Sequence, residues 1–135
     1  MDNDSDINDI ASLLGRILLA VIFITSGFGK ITGLEGTAGY IASKGLPLPM
    51  VLAAGSAAVE LVGGVLLVIG FKARWAGLVL AVFTIAAAVL FHDYWHADAA
   101  SRAGQEINFW KNISMTGGLL LAFAFGPGRY SLDRK

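Results

Sequence analysis

The sequence predicts an all-α integral membrane protein, an antiparallel four-helix bundle, and three observations carry that reading. Hydrophobic residues make up 56% of the 135 and charged residues only 15%, against about a quarter in ordinary soluble domains. The charges are segregated: Ile17 to Gly29, Trp75 to Phe91 and Ile113 to Gly128 carry none, and Glu60 alone interrupts Pro47 to Phe71. The apolar stretches are also of spanning length, because a core about 30 Å thick needs ~20 helical residues. Formal net charge is zero, so nucleic-acid binding has no electrostatic support. The absence of cysteine excludes a structural disulfide, a dithiol pair and thiolate metal ligands. Any redox role therefore needs a bound cofactor, the substrate's own chemistry or a partner subunit.

Residues 1–12 are polar and acidic, without the basic start of a secretory signal. They are expected to form a solvated, retained tail, with Asp9 or Ser12 capping the first helix. The transmembrane domain is expected over 13–128, with spans near 13–31, 49–70, 74–92 and 109–126, and a C-terminal tail over 129–135. In the first span, Arg16 and Lys30 lie nearly on one face, where both can snorkel to opposite headgroup layers. Lys30 follows Ser26, Gly27 and Gly29, a small and polar patch that suits a helix interface better than lipid. Thr32 to Leu48 reads as an interfacial loop with a short amphipathic helix from Thr37 to Ser43, and Pro49 suits the first turn of the next helix.

The second span carries Glu60 near its middle, with Ser56, Gly63 and Gly64 on the same face. A carboxylate there costs roughly 2.5–3.5 kcal/mol on insertion scales and ordinarily faces a bundle interior. The short Phe71-Lys72-Ala73-Arg74 turn makes spans two and three antiparallel neighbours. Span three repeats small residues at Ala73, Gly77 and Ala81 and is otherwise featureless. His92, Asp93 and His96 follow; the histidine spacing can place two metal ligands on one helical face. With Tyr94 and Trp95 between them, an interfacial aromatic layer explains the same residues more simply. Ala97 to Asn108 reads as a polar, mobile connection. Span four takes Lys111 and Asn112 into the membrane early, then Ser114 and Thr116, and carries a Gly118, Ala122, Gly126 stripe. The two stripes also suit a homodimer.

An even number of spans puts both termini on one side. The basic residues of the short segments there, Arg16, Lys72, Arg74, Arg129, Arg134 and Lys135, orient both termini to the cytoplasm. Lys30, His92 and Lys111 then lie toward the outer face, with Glu60 deeper and within reach of Lys30 or Lys111. Two lysines around one glutamate leave net positive charge, suited to an anionic substrate or a quinone oxygen.

At these residues the chain resembles the DoxX family of small four-helix bacterial membrane proteins. The matching pieces are Leu14-Gly15-Arg16, Ser26-Gly27 with Lys30, and Glu60 with Gly63-Gly64. Phe109 with Lys111-Asn112, Gly117-Gly118-Leu119-Leu120 and Ser131-Leu132-Asp133 match as well. The resemblance implies a component of the bacterial cytoplasmic membrane linked to quinone- or sulfur-dependent redox chemistry or oxidative-stress defence. One member is a subunit of thiosulfate:quinone oxidoreductase. A quinone and redox partner proteins are implied with it. The family's polar positions carry over as Arg16, Lys30, Glu60, Lys111 and Asn112, without an assigned catalytic residue. Two other functions fit the residues: a non-enzymatic assembly subunit whose polar cluster locks the helices, and a small transporter in which Glu60 exchanges a proton.

Overall fold

A computed structural model describes residues 3–134. Five α-helices make up the described chain: α1 (Asn3–Thr32), α2 (Leu34–Ser43), α3 (Pro49–Ile69), α4 (Ala73–Phe91) and α5 (Arg102–Phe125), with a 3-10 turn at Tyr94–His96 before α5. No strand occurs among the described residues. Three helices, those beginning at Asn3, Pro49 and Ala73, are long and apolar enough to cross a membrane. α5 is long enough but falls short in hydropathy, because it holds Lys111, Asn112, Ser114 and Thr116 along its middle. The expected clean four-helix bundle is thus met in part: the protein is all-α and multi-pass, with a fifth, shorter helix between α1 and α3.

α1 packs along α3 and α4 along α5, while α3 and α4 are joined by their short turn. Close approach of α1 and α3 depends on small residues. A Cβ on Gly27 would lie 2.8 Å from Leu61 N and 3.1 Å from Ala57 O, and one on Gly64 would lie 2.8 Å from Ile24 Cγ1. On the other side Gly77 meets α5, where a Cβ would stand 3.0 Å from Leu119 O. The Ala73/Gly77/Ala81 stripe is therefore spent inside the monomer. Ala20 and Phe23 of α1, Leu67 of α3, Leu80 and Ala81 of α4 and Leu119 of α5 form one buried cluster. Outward-facing positions carry large apolar side chains instead, among them Leu18, Val62, Val82 and Leu121. Such a surface is a lipid-facing one, since a soluble monomer rarely exposes a wide contiguous apolar patch.

Two segments differ from the sequence reading. The acidic N-terminal tail is helical from Asn3, and Asp4 and Asp6 sit in the first turn, where they complement the positive end of the helix dipole. Asp9 and Ser12 do not cap α1; they bond Arg129 N (3.0 Å) and Pro127 O (2.8 Å) in the C-terminal tail. α5 starts at Arg102, seven residues before the expected Phe109. The side chain of Asp98 accepts from Ser101 N and Ser101 Oγ at 2.9 and 2.7 Å, ordering the start of the helix. Those Ser101 hydrogen bonds hold the Asp98 carboxyl below its ordinary range.

The same end of the molecule holds the C-termini of α1 and α4, the N-termini of α3 and α5, and α2. Ala38 and Ile41 of α2 bury against Ala53 of α3, with Leu46 and Phe91 packed on the cluster. Tyr40 Oη bonds Phe91 O, and Lys44 pairs with Asp93 at 3.0 Å. α2 thereby covers the end of the bundle where Lys30 and His92 emerge.

Candidate ligand cavity

Glu60 is 5% exposed on α3, and the ammonium of Lys30, in the last turn of α1, forms an ion pair with its Oε1. Antiparallel packing through Gly27 puts the end of α1 beside the middle of α3, and the flexible lysine stem closes the remaining gap. Lys30 Nζ also lies 5.6 Å from the ring centroid of Phe83, a cation–π contact. A single-residue anchor for each charge would be costly at this depth; together the pair is satisfiable.

The pair opens on a polar cavity of about 250 Å³ between α1, α3, α4 and α5. Ser26, Thr84, His92, Lys111 and Asn112 share its walls with Lys30 and Glu60. Asn112 Nδ2 donates to Thr84 O at 3.3 Å, and Thr116 Oγ1 donates to Asn112 O at 2.9 Å. His92 Nδ1 donates to the carbonyl Oε1 of Gln105 at 2.8 Å, so the helical start of α5 fixes the ring. Lys111 sits exposed at the mouth. Thr84 is 2% exposed, and its Oγ1 has no hydrogen-bond partner among the described residues. A buried hydroxyl without a partner is uncommon, and this one borders the cavity.

Four of the expected cluster residues therefore meet: Lys30, Glu60, Lys111 and Asn112. Arg16 does not join them. It is 4% exposed at the opposite end, where Nη1 donates to Leu67 O and Val68 O (2.8 Å each) and Nη2 to Tyr130 O at 2.6 Å. Snorkelling is excluded by this burial: the guanidinium satisfies carbonyls at the end of α3 and ties the C-terminal tail to them. The tail is further fixed by Asp133, whose carboxylate accepts from Lys72 N and Ala73 N at 2.9 Å each. At Gly70 (φ 70°) a side chain would collide with Ser131, which is why the chain turns on glycine there. His92, Asp93 and His96 do not share a helical face, because α4 ends at Phe91 and the segment turns. His92 faces Gln105 while Asp93 takes Lys44 and, at 3.3 Å, His96. No group of three metal-ligating side chains occurs among the described residues.

Phe83 and Thr84 were not legible as site residues. The signal available for Thr84 was its position as the lone hydroxyl in the otherwise apolar Trp75 to Phe91 stretch; nothing in the sequence distinguishes Phe83 from a lipid-facing aromatic.

Residues 11–93, which hold Arg16, Lys30, Glu60, Thr84 and His92, match the DoxX family. The chain belongs to the DoxX family. Two relatives from Escherichia coli (strain K12) align over nearly the whole chain. "Inner membrane protein YphA" is 40% identical over 91% of this chain and 88% of the relative; "Inner membrane protein YqjF" is 39% identical over 95% and 93%. A relative from Bacillus subtilis (strain 168), "Putative oxidoreductase CatD", is 38% identical over 60% of this chain and 59% of its own length. No solved structure matches the chain. Lys111 and Asn112 lie outside the matched DoxX residues, although the long E. coli alignments reach most of the chain.

Proposed function

We propose that this DoxX protein is the membrane subunit of a quinone-linked redox system in the bacterial cytoplasmic membrane, with α5 as a fourth crossing and both termini cytoplasmic. The observation that carries the reading is the polar cavity, which joins a buried ion pair, a second lysine at its mouth and a buried hydroxyl still lacking a partner. At the far end Arg16 serves a locking role: its Nη1 and Nη2 donate to Leu67 O, Val68 O and Tyr130 O, Nε is left without a partner among the described residues, and it is no part of the cavity's lining.

The residues fit a quinone ring. Lys111 Nζ, exposed at the mouth, can donate to a carbonyl oxygen, and Phe83 offers a ring face beside Lys30. When bound, a quinone supplies a two-electron, two-proton acceptor. Glu60 Oε1 is held by Lys30, which leaves Oε2 to accept or release a proton. His92, fixed through Nδ1 by Gln105, keeps Nε2 for exchange at the rim. Without cysteine or a resident metal centre implied by its residues, the chain takes electrons from a partner protein or directly from a reduced sulfur anion. The positive balance of Lys30 and Lys111 over Glu60 favours such an anion. The word oxidoreductase in the name of the B. subtilis relative is in keeping with this reading.

The test is to purify the protein in mild detergent and identify what accompanies it. Quinone near one equivalent, lost on Lys111→Gln with Thr84→Val, is expected. A partner protein retained equally by both forms, with no quinone, would favour an assembly role. Proton-coupled flux in liposomes would favour a transporter.

A further inference from the structure

Beside the polar cavity lies a second, larger one of about 370 Å³, bounded by α2, the loop after it, α3 and α4. Its lining is mainly apolar, with Ile41, Leu46, Leu52 and Leu90 prominent. Lys30, Phe83, Ala87 and His92 border both cavities, so one wall separates a charged chamber from a greasy one. Cofactor sites usually measure ~300–1,000 Å³; the polar cavity alone is below that range and the two together are within it. Leu52 and Leu90 are also partly exposed on the outer surface between α3 and α4, so the apolar chamber reaches the lipid-facing side. α2 closes it from the end, pinned by Ala38 and Ile41 against Ala53 and by the Lys44–Asp93 pair.

We infer that the two cavities form one bipartite site for a prenylated quinone. The ring occupies the polar chamber, and the first part of the hydrocarbon tail runs past Phe83 and Ala87 into the chamber under α2 and out between α3 and α4. This rests on the quinone reading and narrows it: the acceptor is a long-tailed membrane quinone entering sideways from the bilayer. The chemistry follows the walls. Hydrogen-bond donors and charge meet the carbonyl-bearing head, whereas the second chamber is mainly apolar, its own polar side chains being the hydroxyls of Thr37, Tyr40 and Ser56.

The test compares a decyl-tailed with a tailless quinone in nanodiscs of one lipid composition, using the wild type and Ala86→Phe. Ala86 lines only the apolar chamber, and taking the ratio of variant to wild type for each quinone cancels partition into lipid. Ala86→Phe is expected to weaken the decyl quinone by at least about tenfold and to leave the tailless one within about twofold. Ser56→Leu, which intrudes on the same chamber from α3, should do the same and guards against a folding defect in the first variant. Equal change for both quinones, or no change for either, overturns the bipartite site while leaving a head-group site standing. Displacement of the decyl quinone by a fatty acid as readily as by unlabelled quinone overturns it too, marking a lipid groove. Failure of the wild type to bind either quinone overturns both this inference and the function from which it was drawn.

Discussion

A lysine and a glutamate at membrane depth are each unfavourable alone, and their pairing is what lets α1 and α3 carry them. Lys30 and Glu60 are matched charge for charge, yet the cavity beside them keeps Lys111 without an ion pair and Thr84 Oγ1 without a hydrogen bond among the described residues. Glu60→Gln removes one partner and leaves the ammonium uncompensated, at an expected cost of about 3–5 kcal/mol. Val65→Ala on the exposed face of the same helix should stay within about 0.5 kcal/mol. Unfolding in bicelles measures both; a Lys30→Gln, Glu60→Gln double variant that regains most of the stability identifies the loss as that of a pair. Equal effects of Glu60→Gln and Val65→Ala would contradict the pairing. At this scale Glu60 was legible because a lone acid in a long apolar stretch has few tolerable environments. Arg16 was not, since sequence alone cannot distinguish a guanidinium in the headgroups from one wrapped by carbonyls of α3 and Tyr130, which are distant in the chain.

Among the elements, the glycines divide by what they face. Gly27 lies against backbone atoms of α3, which cannot rotate away, whereas nothing lies within 4 Å of a Cβ on Gly117 of α5. Gly27→Ala should therefore force α1 and α3 apart at about 1–3 kcal/mol and draw Lys30 away from Glu60. Gly117→Ala should be neutral or stabilise by up to about 1 kcal/mol through helix propensity. Thermal denaturation of the two variants in one detergent decides it, and similar loss in both would show that the α1–α3 contact is looser than described. Apolar stretches located α3 and α4 to within a residue at each end, because lipid length and the short Lys72 turn leave little freedom. The ends of α1 and α5 were missed for a common reason: both extend as polar helical turns beyond the apolar stretch. They are held by contacts to distant segments, Asp9 to Arg129 and Gln105 to His92.

For the molecule as a whole, the two ends have different characters. One is a clasp, in which α1, the α3–α4 turn and the C-terminal tail are joined by Arg16, Asp133 and the Arg129 pairs to Asp6 and Asp9. The other is the cavity end beneath α2. The excess of basic residues in short segments at the clasp predicts that it faces the cytoplasm. A reporter active only in the periplasm should be silent when fused after Lys135; activity there would invert the orientation and move the cavity to the cytoplasmic face. Fold class and family were legible because they depend on the distribution of charge along the whole chain, while the bipartite cavity depends on how α2 folds back over α3 and α4. The central claim is that the Lys30–Glu60 cavity is a quinone site, and photolabelling in native membranes with an azidoquinone tests it most directly. Adducts are predicted in 22–30, 83–92 and 108–115, displaced by excess unlabelled quinone. Adducts confined to lipid-facing residues such as Leu18 and Leu121, undiminished by the competitor, would contradict it.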